Sequence, residues 1–113
     1  MQTEGIIIHD SACSSINGKG YDFYIAKNGS IVPASSRTDK AYIHICLEGD
    51  FARSFSGSVP EVKEQIFLLS KLILRVSRLY DFSYERIFPH SRHCPGKYFP
   101  WAELVIWDND RYH

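Results

Sequence analysis

The chain has 113 residues, 44% of them hydrophobic, which is enough apolar material for one buried core and hardly for two. Its 13 basic and 13 acidic residues cancel, so nothing in the charge points to the counterion-release binding used by nucleic-acid proteins. The three cysteines, Cys13, Cys46 and Cys94, are odd in number and far apart, which argues against a small disulfide framework and for free or metal-bound thiols. The longest apolar runs, Ile6 to Ile8 and Ile66 to Leu69, are far shorter than the ~20 residues that span a bilayer, so no membrane insertion is expected. The opening Met-Gln-Thr-Glu lacks a basic n-region, so no signal peptide is expected and synthesis is placed in the cytoplasm. A single domain over 1–113 and a monomer are the simplest expectation.

In chain order, Gly5 to His9 carries three successive β-branched isoleucines and reads as a short buried strand, with His9 at its exit. Asp10 to Gly20 is rich in Ser, Gly and Asn without periodicity, which is a loop. Tyr21 to Ala26 alternates, with Phe23 and Ile25 on one face and Asp22 and Tyr24 on the other. Lys27-Asn28-Gly29-Ser30 then turns the chain into Ile31 and Val32, making a hairpin. After a turn-prone stretch from Pro33 to Lys40, Ile43, Ile45 and Leu47 alternate with His44 and Cys46, which predicts a further strand at the centre of the sheet.

Ser58 to Tyr80 reads as the long helix. Ser58 and Glu61 make a capping box with Pro60 in the first turn, and Val62, Ile66, Leu69, Ile73, Val76 and Tyr80 form one stripe. Leu68, Leu72 and Leu79 widen it, while Lys63, Lys71, Arg75 and Arg78 keep the opposite side wet. Ile87 and Phe88 add a short strand, and Trp101 to Trp107 form a terminal helix or an extended cover. The expected fold is α/β: a mixed central β-sheet with a long helix packed on it.

The chemistry concentrates in HSRHCPGKYFPW, residues 90–101, where His90, His93 and Cys94 precede a Pro-Gly turn and an aromatic run. Hydrolytic zinc sites have three protein ligands and an open fourth position. His90 and Cys94 can fold onto one ion from a loop between Pro89 and Pro95, and His9, at a strand exit, is a candidate third. Two other readings stay open at this point: Cys94 as a thiolate nucleophile with His90 or His93 as its base, and a loop with no site at all.

Four blocks carry a resemblance. GIIIHDSA is similar to the opening strand of the type 2 N-acetylmuramoyl-L-alanine amidases and the related peptidoglycan recognition proteins, which ends in a zinc-binding His. GYDFYIAKNGSIV resembles their GYHF hairpin, YIHICLEGDF their SIGI-x-L-x-G-x-F strand, and HSRHCPGKYFPW their closing H…CPG…FPW segment. The blocks occur in the family's order and cover most of the chain. The resemblance implies zinc as cofactor, His9, His90 and Cys94 as its ligands, and peptidoglycan as partner. It implies cleavage of the amide between N-acetylmuramic acid and L-alanine, with action at the cell wall after release or export, as for an endolysin or autolysin. It further implies that Tyr21 assists beside the metal, that Arg92 stands where some members place an oxyanion-stabilising lysine, and that Glu48 lies near an acidic position close to the reacting water. A non-catalytic peptidoglycan-binding module of the same fold is the alternative, and a cysteine-dependent amide hydrolase a further one.

The chain also departs from the family. Members usually separate the second His from the Cys by a longer gap, so Ser91, Arg92 and His93 make a tight loop in which His93 competes with His90 as ligand. Many members also carry a helix after the first strand and a longer stretch before the third, so the cleft walls are expected to be low. Asp22 stands where the family often has His or Asn.

Overall fold

The computed structural model describes residues 3–12, 21–34, 39–52, 60–91 and 93–104. Five strands form one sheet in the order β3-β2-β4-β1-β5. They are β1 (Gly5–Asp10), β2 (Phe23–Ile25), β3 (Ile31–Pro33), β4 (Tyr42–Leu47) and β5 (Ile87–Pro89). β1 runs parallel to both β4 and β5, β2 runs parallel to β4, and only the β2–β3 hairpin is antiparallel. The mixed sheet is the expected one, and β4 is its central strand.

One helix, α1 (Pro60–Tyr80), covers one face. Alternation along the strands decides which side chains meet it. Ile6 and Ile8 of β1, Ile25 of β2, and Ile43, Ile45 and Leu47 of β4 pack with Val62, Ile66, Leu69, Ile73 and Val76 of the helix, and Phe51 and Phe99 close the same cluster. The stripe is thus the predicted one with two amendments. Leu79 is 72% exposed and belongs to the solvent side, because the stripe has rotated past it by the last turn. Gln65, Ser70 and Ser77 are buried where only apolar residues were expected. The serines are accommodated because each hydroxyl donates back to its own helix, Ser70 Oγ to the Ile66 carbonyl and Ser77 Oγ to the Leu74 carbonyl, both at 2.9 Å.

Gln65 has a different task. Its Nε2 donates at 3.0 Å to the carbonyls of both Ile25 and Glu48, closing two backbone acceptors where β2 and β4 end. The hairpin turn follows its composition: Gly29 takes a φ of 91°, and Asn28 Oδ1 accepts the Ser30 amide at 2.9 Å. The Ser58 half of the capping box lies outside the described residues. After β5, the regular element among the described residues is a 3-10 turn at Trp101–Glu103; the remainder of the terminal helix or cover expected over Trp101 to Trp107 lies, from residue 105 on, outside the described residues. No helix among the described residues is long and apolar enough to cross a membrane.

Candidate metal centre

The face of the sheet turned away from α1 carries the polar side chains. Residues paired in a parallel ladder share a face, so the register sets His9 beside Cys46, and Cys46 beside Tyr24. On the other flank of β1, Ile8 pairs with Pro89 and the next residue, His90, follows beside His9, its amide donating to the Ile8 carbonyl at 3.1 Å. The rings of His9 and His90 accordingly stand 4.6 Å apart between centroids.

Cys94 arrives through the short loop. Ser91 and Cys94 exchange two backbone hydrogen bonds of 3.0 and 3.2 Å, a tight turn that folds the chain straight back after His90. The gap between His90 and Cys94, short for the resembled family, is therefore long enough. The segment is then clamped on its far side. Gly96 has a φ of 105°, and a Cβ there would come within 2.6 Å of the Ala52 nitrogen and the Phe51 carbonyl oxygen, so only glycine permits this approach. The Tyr98 amide donates to the Phe51 carbonyl at 2.8 Å, and the Phe99 ring meets that of Phe51 edge-on at 5.2 Å. Phe51 is itself held by Asp10, whose Oδ2 accepts the Phe51 amide at 2.9 Å.

The result is a convergence of His9, His90 and Cys94, with one donor atom from each lying within 4.8 Å of the others. His9 and Cys94 are buried and His90 is exposed, so the cluster sits at a rim open on one side. Cys94 Sγ stands 4.0 Å from His9 Nδ1. Tetrahedral zinc with bonds of about 2.1 and 2.3 Å sets N and S donors ~3.6 Å apart, so this pair fits such an ion after a small rotamer adjustment. The donor set, two imidazoles and a thiol, also suits a borderline-soft divalent ion. His93 is exposed, with its amide donating to Ser91 Oγ at 3.3 Å.

The other site candidates are placed as follows. Tyr21 is half-buried on this side of the sheet, its ring 5.4 Å from that of Tyr24. Glu48 follows β4, and its Oε1 accepts the Lys27 amide at 2.9 Å, which ties the carboxylate to the hairpin. Arg92 lies outside the described residues. Three residues not singled out from the sequence border the cluster. His44 Nδ1 is 2.8 Å from His9 Nε2, and Asp39 Oδ2 is 2.9 Å from His44 Nε2. Tyr24 completes the row beside Cys46; burial first and then the Glu48 carboxylate raise its hydroxyl above the ordinary phenol value, against a hydrogen bond from Ser11. The one available signal was that His44 occupies the polar side of its strand's alternation, which meets His9 only once β1 and β4 are known to pair.

No protein-family model and no curated protein sequence matches the chain. Solved structures do. The N-acetylmuramoyl-L-alanine amidase LysC from Clostridium intestinale URNW is 20% identical, with a TM-score of 0.64 over 92% of this chain and 83% of that one. The endolysin amidase LysCS from the same organism is 20% identical, with a TM-score of 0.64 over 92% of this chain and 82% of that one. PGRP-Hd from Alvinella pompejana is 17% identical, with a TM-score of 0.56 over 87% of this chain and 78% of that one. The resemblance read in the sequence blocks holds at the level of the fold, which this chain shares with amidases and a PGRP.

The electrostatics of the cluster give a prediction. Burial, followed by the neighbouring His44 and His90, lowers the His9 pKa to about 3. In the unfolded chain it is about 6.5, so between these values the unfolded state takes up a proton that the folded state does not. The metal-free protein should therefore lose stability as pH falls below about 6.5, by roughly 1.4 kcal/mol per pH unit from this group. Asp39, held below its ordinary value of 3.8 chiefly by its hydrogen bond with His44 and then by the Ala41 amide, adds its own loss only below about pH 4. Urea unfolding midpoints between about pH 4.5 and 6.5 should show the slope in the native sequence and its loss in His9→Gln; equal slopes would contradict this environment for His9.

Proposed function

We propose that the chain is a zinc-dependent peptidoglycan amidase that hydrolyses the amide between N-acetylmuramic acid and L-alanine. The observation that carries this reading is the convergence of His9, His90 and Cys94 within 4.8 Å on a fold shared with muramoyl-L-alanine amidases. His9, His90 and Cys94 are proposed as the ligands of the ion. When bound, zinc supplies Lewis acidity, which polarises the amide carbonyl and lets water attack it near neutral pH.

The remaining steps fall to side chains. As the carbonyl becomes tetrahedral its oxygen gains charge, and Tyr21 is proposed to donate its hydroxyl hydrogen there, with the Arg92 guanidinium as a second donor; a group aimed in this way contributes about 3 kcal/mol. The attacking water must lose a proton and the leaving amine must gain one, and the Glu48 carboxylate, held at the hairpin by the Lys27 amide, is proposed to take up the first through a bridging water and return it to the amine nitrogen as the C–N bond breaks. The cysteine-nucleophile reading, with His90 or His93 as its base, is less well supported: Cys94 Sγ stands 4.0 Å from His9 Nδ1, and the three donors of His9, His90 and Cys94 converge as a ligand set rather than as a thiol and a base. The second reading is a module of the same fold, shared with PGRP-Hd, that binds peptidoglycan without cleaving it. Under either reading the proposed place of action is the cell wall, after release or export.

Purified protein should carry about one zinc per chain, and chelation should abolish release of stem peptide from peptidoglycan. Cys94→Ser should lower zinc content and activity together, while Cys46→Ala, whose thiol is not among the converging donors, should spare zinc content. Full activity without zinc would reject the proposal. Stoichiometric zinc without any stem-peptide release would favour the binding module.

Tyr21→Phe should keep zinc and fold, because its ring still packs against Tyr24, while kcat on a soluble muropeptide falls roughly 10²-fold and KM barely moves. An unchanged kcat would remove Tyr21 from the reaction.

A further inference from the structure

One buried-to-surface polar chain beside the cluster has no part in the reaction as drawn. It starts at Asp39, whose two oxygens are separately engaged: Oδ1 accepts the Ala41 amide at 2.8 Å, and Oδ2 lies 2.9 Å from His44 Nε2. It continues through His44 Nδ1, 2.8 Å from His9 Nε2, and ends at His9 Nδ1, which faces Cys94 Sγ. The His44 position is itself fixed, since its backbone amide donates to Asp22 Oδ2 at 2.8 Å, tying β4 to the start of β2.

The direction of each hydrogen bond follows from what the end group can do. An ionised carboxylate only accepts, so the hydrogen between Asp39 and His44 sits on His44 Nε2. A neutral imidazole has one N–H and one lone pair, so His44 Nδ1 carries the lone pair and must accept. The donor in the next bond is then His9 Nε2–H, and the His9 lone pair is left on Nδ1, the atom that faces Cys94.

We propose that Asp39 and His44 are positioning residues that hold His9 as its Nε2–H tautomer, so that the Nδ1 lone pair is presented to an ion shared with His90 and Cys94. The identity of that ion as zinc rests on the amidase reading; the tautomer does not. The Asp39–His44 pair contributes little to stability by itself, because its side chains are 37% and 16% exposed and pairs open to solvent are worth little. Its effect is instead on which nitrogen of His9 can bind.

Asp39→Asn tests this directly, because the substitution should reverse the chain rather than merely break it. The Ala41 amide needs an oxygen, which leaves the new NH₂ group against His44 Nε2. That nitrogen must now accept, so His44 carries its hydrogen on Nδ1 and donates to His9 Nε2, moving the His9 hydrogen to Nδ1. Two-bond 1H–15N correlation spectra of the metal-free protein should show the Nε2–H form of His9 in the native sequence and the Nδ1–H form in Asp39→Asn. The zinc Kd, from competition with a chelator, should rise by about 10- to 100-fold. In a His44→Leu background the same substitution should change it by less than about 2-fold, as members of one chain are not additive. If Asp39→Asn loosens the fold, His44→Leu alone supplies the readout, since His9 should then populate both tautomers. An Nδ1–H form of His9 in the native sequence, or an Nε2–H form that survives both substitutions, would overturn the proposal. A native chain that binds no zinc yet shows the reversal would sink the amidase reading while upholding the relay.

Discussion

The parallel register of β1 between β4 and β5 is the constraint on which the rest depends. Because residues alternate across a strand, the same register that sends Ile6 and Ile8 into the helix-facing core turns His9 to the opposite face. Pairing on both flanks then sets Cys46 and Tyr24 to one side of His9 and His90 to the other. A slip of one residue in β1 would turn His9 toward the helix-facing core and an isoleucine to the opposite face, so the hydrophobic core itself enforces the position of the candidate site.

The loop from His90 to Phe99 is held to that frame from two directions. The reciprocal Ser91–Cys94 hydrogen bonds return the chain toward His9, and the close approach of Gly96 to Phe51 stops it from lifting away. Phe51 connects both ends, because its amide is bound by Asp10 at the exit of β1 while its carbonyl receives the Tyr98 amide. The donors thus converge through backbone and core contacts. Burial keeps His9 neutral, the form in which an imidazole is a ligand.

Most of the fold was legible in the sequence because it is written in local alternation and helical spacing. The isoleucines of β1, the Phe23/Ile25 and Ile43/Ile45/Leu47 alternations and the stripe from Val62 to Val76 each specify an element and its buried face. What was not legible depends on partners distant in sequence. Gln65 reads as a solvent residue until the two carbonyls at the ends of β2 and β4 are placed beside it. Leu79 reads as core until the stripe is seen to have rotated past it in the last turn. At the site, His9, His90 and Cys94 are candidates from residue type and position, and the motif resemblance singles them out, whereas His44 and Asp39 lie outside those motifs' chemistry and become visible only when β1 and β4 pair. The short gap before Cys94 left His93 in competition with His90; the pairing of β1 with β5 puts His90 beside His9, and the Ser91–Cys94 turn returns Cys94 to them.

The central claim is that His9, His90 and Cys94 together bind one metal ion. Zinc-edge X-ray absorption of the zinc-loaded protein reads that coordination shell most directly. The account predicts one sulfur at about 2.3 Å and two imidazole nitrogens at about 2.0 Å, with the sulfur shell lost in Cys94→Ser. A shell of nitrogen and oxygen without sulfur, or one unchanged by Cys94→Ser, would contradict it.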